Sequence, residues 1–236
     1  MTYAIDVPTL EAAIVRQCSP TLAGLKPAGL FTFPGPYTSD NPAEQPAIRR
    51  RREALLEVVD RLRSELGPAG IELRVLAWRS CGALVYVYRP AALAAHLADP
   101  RAARRLHALG YRPRDLEASL ELLAARIVGS GGRARAEAPR SDAAASDAAR
   151  ACPCTLDACR HGFPHEIGFF LGYPYADVVG FIDNGGRNYL AVGLWKVYDD
   201  VEAALATFAR YRRCTSALQA AYQHGGQLSQ LAVCTG

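Results

Sequence analysis

Two runs of β-favouring residues, 71–78 (IELRVLAW) and 83–88 (ALVYVY), are separated only by Arg79-Ser80-Cys81-Gly82. Short runs of this composition around a glycine-containing turn predict an antiparallel hairpin. A hairpin restricts what the rest of the chain can build. The sheet must be antiparallel or mixed, and the amphipathic segments elsewhere must cover it. The clearest of these is 47–66, where Ile48, Leu55, Leu56, Val59, Leu62 and Leu66 recur at helical spacing before Gly67-Pro68. The order of elements lacks the regular alternation of a doubly wound fold, and no glycine-rich phosphate loop follows a strand.

The remaining segments are read in the same way. Residues 7–17 predict a short helix. Cys18-Ser19-Pro20 is expected to stop it and start another, with Ser19 as N-cap and Pro20 at the first helical position. Gly24 and Pro27 end that turn, 29–33 reads as a strand, and 34–46 is a loop with four prolines. Residues 91–109 and 113–128 are helices broken at Asp99-Pro100 and between Gly110 and Pro113. Further helices are expected at 165–171, capped by Gly172, and at 177–182 and 201–222. Strands are expected at 189–198 and 228–233. The reading is a single α+β domain, a small antiparallel or mixed sheet covered by helices. Residues 1–128 form its N-terminal part and 161–236 its C-terminal part. Between them, 129–160 has almost no large apolar residue and reads as a flexible Ala-, Arg- and Gly-rich insertion.

Composition excludes several classes. At 236 residues, half of them hydrophobic, the chain can bury a core without disulfides or metal. It has no apolar run long enough to span a membrane. Its N-terminal stretch is acidic where a signal peptide needs bases, so a cytoplasmic location is expected. A net charge of +4 is short of a nucleic-acid footprint, and Arg49-Arg50-Arg51-Arg52 reads as a solvated helix face. Seven cysteines, an odd number, cannot form a complete disulfide framework. The basic residues are lopsided, with 25 Arg against two Lys, Lys26 and Lys196. A compact ammonium of tunable pKa differs from a permanently charged planar guanidinium, so the places where lysine persists are of interest.

Four segments can carry chemistry. Cys18 just before a helix start would be stabilised as a thiolate, with Lys26 adding to the effect; a buried cysteine at a helix junction is the alternative. His165 and Glu166 fall in a first helical turn, where an imidazole stays neutral and can act as base or ligand. Gly168 and Gly172, four apart, expose backbone to another helix or a flat ligand. Lys196 on an apolar strand needs a partner such as Asp199, or a ligand. Cys152, Cys154, Cys159 and His161 offer three thiols and an imidazole, a possible zinc set with unusual spacing.

The segments 18–26 (CSPTLAGLK), 82–90 (GALVYVYRP), 163–174 (FPHEIGFFLGYP), 177–198 (DVVGFIDNGGRNYLAVGLWKVY) and 208–215 (FARYRRCT) resemble a bacterial domain-of-unknown-function family, number 3793, seen largely in anaerobes. The resemblance covers nearly the whole chain and both lysines. It departs at 129–160, where the family typically has a short connection. It implies no reaction, only a link with iron or redox physiology. From these segments we take Cys18, Lys26, His165 and Glu166 as candidate catalytic residues. Tyr88, Arg89, Gly168, Gly172, Tyr173, Asn184, Asn188 and Lys196 are candidate ligand contacts. The leading expectation is a thiol-centred protein handling a metal or cofactor, with iron, haem and zinc as candidates. A non-catalytic binding or adaptor protein is the second, and a Cys/His hydrolase or transferase the third. The expected partner is a small molecule or metal cofactor, with no membrane and no nucleic acid. Cys18, Lys26 and His165 are expected to line one cleft.

Overall fold

The computed structural model describes residues 5–133 and 163–234. Strands β1 (Ala28–Pro34), β2 (Glu72–Trp78) and β3 (Gly82–Tyr88) form an antiparallel sheet in the order β1-β3-β2. The expected hairpin is therefore present, and β1 joins its free side in the register Ala28↔Tyr88 to Pro34↔Gly82. A bulge at Leu76 interrupts the β2 pairing between Val75 and Ala77.

Every residue of β3 is buried, which requires cover on both faces. Side chains alternate across a strand, and the two faces sort accordingly. Ala83, Val85 and Val87 pack with Leu10, Ile14, Leu55 and Leu62, from helices α1 (Val7–Leu22) and α2 (Gln45–Leu66). Leu84, Tyr86 and Tyr88 face a second core. It includes Leu93 from α3 (Pro90–Leu97), Leu106 from α4 (Pro100–Ala108), Leu120 from α5 (Leu116–Arg133) and Phe170 from α6 (Ile167–Phe170). The result is an α+β sandwich of helices, sheet and helices. Helix α8 (Val201–Gln223) packs along α1 outside this sandwich.

Three local expectations change. Helix α1 does not stop at Cys18; it runs through Pro20 to Leu22. Leu10, Ile14, Cys18 and Leu22 form one fully buried stripe at four-residue spacing, and burying it outweighs the one hydrogen bond to Arg16 that proline cannot make. Ser19 caps nothing; its hydroxyl donates to the Val15 carbonyl one turn back. Segment 189–198 is not one strand but a tight hairpin, β4 (Ala191–Val192) and β5 (Lys196–Val197). Gly193 at its turn lies against the Phe208 ring, where an added Cβ would fall 2.3 Å from it. Residues 228–233 contain no strand; Leu228–Leu231 is a helical turn, α9, closed by a capping box between Gln227 and Gln230. The expected insertion lies outside the described residues beyond its first few positions, which extend α5 to Arg133.

Two helix ends position the site. Helix α1 closes in a Schellman motif: Leu25 N–H donates to Pro20 O (2.8 Å), Gly24 N–H to Thr21 O (3.2 Å), and Gly24 is left-handed at φ +68°. Helix α6 closes identically, with Tyr173 N–H to Gly168 O (3.0 Å), Gly172 N–H to Phe169 O (3.0 Å), and Gly172 at φ +71°. The first turn delivers Lys26 and the second delivers Tyr173. Gly172 rests on Pro27, where a Cβ would lie 2.3 Å from the ring, so the two ends meet.

Candidate functional site

Lys26 Nζ lies 4.9 Å from the centre of the Tyr173 ring. Tyr173 in turn stacks on Trp195 at 4.9 Å, and Trp195 meets Phe208 of α8 edge-on at 4.5 Å. Two cavities meet beside this row: Tyr173 and Leu194 belong to the walls of both, and Trp195 to the wall of the second.

The first cavity, about 450 Å³, is basic and hydroxylic. Its wall holds Arg16, Lys26 and Arg212 together with Thr21, Thr215 and Ser216, and no carboxylate. None of the three cations is paired in the ion pairs seen among the described residues. Thr21 is 1% exposed, and its hydroxyl lacks a hydrogen-bond partner. Burial pushes the Lys26 ammonium down to about 8, partly offset by Cys18.

The second cavity, about 340 Å³, is largely apolar. Its wall includes His165, Phe181, Trp195 and Lys196, from the turn before α6, from α7 (Tyr175–Asp183) and from the β4–β5 hairpin. Asp177, 5% exposed, fastens that hairpin: it accepts from Trp195 Nε1 (2.6 Å) and from Tyr198 N–H (2.7 Å). Lys196 donates to the Gly186 carbonyl (2.6 Å) and lies over the Tyr189 and Phe181 rings at 4.8 and 5.7 Å. Its partner is thus a backbone carbonyl and two rings, not Asp199. His165 meets Phe181 edge-on at 5.0 Å, and burial holds its pKa below the usual imidazole value, against the opposing pull of Glu166. The expected neutrality of His165 therefore rests on burial; the residue precedes α6 rather than lying in its first turn.

Residues 14–232 match the sequence profile of the family described as Protein of unknown function (DUF3793). The chain belongs to this family. No curated protein and no solved structure matches it. The DUF3793 match takes in every residue of the two cavities. Four of the five resembling segments reach their walls, through Lys26, Tyr173, Trp195 with Lys196, and Tyr211 with Arg212. The fifth, 82–90, goes to the core.

The sequence-derived candidates divide accordingly. Lys26 and His165 line adjoining cavities. Cys18 lines neither; it sits in the last turns of α1, 1% exposed, over the bare backbone of Gly29, whose Cβ would lie 2.7 Å from its sulfur. It is not at a helix start, and burial pushes its thiol up to about 12 despite Lys26, the reverse of the activation expected. Glu166 is 7% exposed and committed to Arg126 (2.6 Å) and the Tyr111 hydroxyl (3.0 Å). Glu166 and Arg126 border a third, wider hollow of about 820 Å³, also lined by Arg105, which pairs with Asp183 at 2.8 Å. Tyr88 stacks on Tyr86 in the core. Arg89, 2% exposed, donates to the carbonyls of Thr21, Leu22, Ala69 and Val233 at 2.6–2.8 Å. It ties the end of α1 to the loop before β2 and to the C-terminal segment. Gly168 lets α6 approach Val178 of α7, where a Cβ would be 2.8 Å away, and both residues line the second cavity. Asn184 and Asn188 bond each other (3.2 Å) in the exposed turn after α7. Cys152, Cys154, Cys159 and His161 lie outside the described residues. Among the described residues no three His, Cys, Asp or Glu side chains are grouped to hold a metal, and no helix is long and apolar enough to cross a membrane.

Sequence reasoning passed over Arg16, Asp177, Trp195 and Arg212. Asp177 carried a signal: an acid in an otherwise apolar helix start, with a tryptophan eighteen residues on. The two arginines carried none, being two of 25.

Proposed function

We propose that this protein binds a small organic anion that has a flat apolar part. The observation that carries the reading is the shared wall. A cavity with three cations and no acid adjoins an apolar cavity, Tyr173 and Leu194 belong to both walls, Lys26 lies over the Tyr173 ring, and Lys196 lines the apolar side. An anionic group suits Arg16, Lys26 and Arg212, and a ring suits the space between Trp195 and Phe181. The thiol-centred reading has less behind it, because Cys18 is sealed beneath β1 and stays protonated. Calorimetric titration with three probes tests the proposal. Naphthalene-1-sulfonate should bind with a heat that Arg16→Gln/Arg212→Gln abolishes, and at least about tenfold more tightly than sulfate or benzyl alcohol, since each supplies only one half of the interaction. Equal affinity for all three probes, or none for the first, counts against it.

A further inference from the structure

The proposed anion site also holds an amine with no acid to neutralise it. Lys26 follows the Schellman turn of α1, faces the Tyr173 ring and opens on the basic cavity. Resting on the binding reading above, we propose that Lys26 is a covalent capture site for a carbonyl compound, an aldehyde or ketone carrying a phosphate or carboxylate. The anionic group docks on Arg16 and Arg212 and brings the carbonyl carbon to Nζ. The neutral amine adds to that carbon, forming the C–N bond. A proton passes from the nitrogen to the former carbonyl oxygen, and the carbinolamine then loses its hydroxyl as water with one proton taken up from solvent, leaving a protonated imine that releases that proton to give the imine. No oxidant or reductant enters the step.

Two features support this chemistry beside the placing of Lys26 on the basic cavity. A lysine becomes a nucleophile when desolvation favours its neutral form, and burial holds Lys26 at about 8. At pH 7 its neutral fraction is then on the order of 200 times that of an ordinary lysine. Weaker basicity returns part of that gain, leaving a rate advantage of about tenfold. Arginine could supply the same positive charge but cannot form an imine, so a lysine kept in so arginine-rich a chain fits a role for the amine. Lys196, by contrast, is tied to the Gly186 carbonyl and held between two rings.

The chain makes the test clean, because it offers only Lys26, Lys196 and the N-terminal amine. The intact protein is mixed with equimolar pyridoxal 5′-phosphate, reduced with borohydride, digested and mapped by mass spectrometry. The expected result is one adduct, on Lys26, at least about tenfold over Lys196. It should also exceed labelling of the N-terminal amine. Lys26 labelling should rise between pH 7 and 9 and fall when naphthalene-1-sulfonate competes. Equal labelling of both lysines, or labelling only at the N-terminus, overturns the proposal. Pyridoxine 5′-phosphate, which lacks the carbonyl, separates the two failures. If it binds while Lys26 stays unlabelled, the binding reading survives and the capture site does not; if it fails to bind as well, both fall.

Discussion

Lys26 and Arg89 show opposite ways of burying a cation. Arg89 is satisfied by four carbonyls on three separate segments, a set that no lysine can reach with one ammonium. Arg89→Lys should therefore cost about 3–5 kcal/mol, seen as a lower urea midpoint at unchanged slope. A loss below about 1 kcal/mol would mean the clasp is dispensable. Lys26 lacks such partners and destabilises the fold while charged. Its folded pKa, about 8, lies below the ordinary 10.5, so the unfolded chain binds more protons between those values and stability rises with pH there. Relative to Lys26→Met, the native protein should gain about 1 kcal/mol from pH 7 to 9, a difference from which the titration of Cys18, common to both, drops out. Cys18 titrates near 12 when folded and about 9 when unfolded, so above pH 9 its contribution falls. Parallel pH curves for the two proteins would show that Lys26 is solvated. At neutral pH the Cys18 thiol should resist iodoacetamide until the protein unfolds, whereas exposed Cys234 should react at once, as peptide mapping can show. Early modification of Cys18 would contradict its burial.

At the scale of elements, the two glycine-ended turns decide whether the cavity walls meet. Gly172→Ala combines a left-handed backbone with a methyl placed 2.3 Å from Pro27, while Gly110→Ala, at an equally left-handed position with open space around it, adds only the backbone cost. The first should destabilise by about 3 kcal/mol or more and weaken naphthalene-1-sulfonate binding; the second should cost about 1 kcal/mol. Comparable losses in thermal unfolding would mean that the contact with Pro27 is slack. The main elements were legible because their signals are local. Helix α2 and the β2–β3 hairpin follow from periodicity and a turn. The end of α1 was not, because Cys-Ser-Pro has the same pattern whether serine caps a new helix or bonds back to Val15 in an old one. Burial of the Cys18 and Leu22 stripe decides between them, and that is a tertiary fact. The 189–198 segment failed similarly: its β-favouring residues are real, but Phe208 of α8 fixes the fold-back at Gly193. Of the site, the lysines were conspicuous by rarity. Their arginine neighbours became visible only when α1 and α8 packed together.

For the molecule as a whole, the sandwich accounts for stability, and the appended α7, hairpin and α8 account for the cavities. The aromatic row from Tyr173 through Trp195 to Phe208 links these parts. It also supplies a reporter, since the chain has only two tryptophans, Trp78 and Trp195. Trp78 lies in the sheet beside Tyr37 and lines neither cavity, and Trp78→Phe leaves Trp195 alone. The most direct measurement is Trp195 fluorescence in that variant during titration with naphthalene-1-sulfonate. The expected result is a saturable change, weakened severalfold between about 0.05 and 0.5 M salt and lost in Arg16→Gln/Arg212→Gln. A response that never saturates, or one indifferent to both salt and those arginines, would contradict an anion site adjoining the cavity that Trp195 lines.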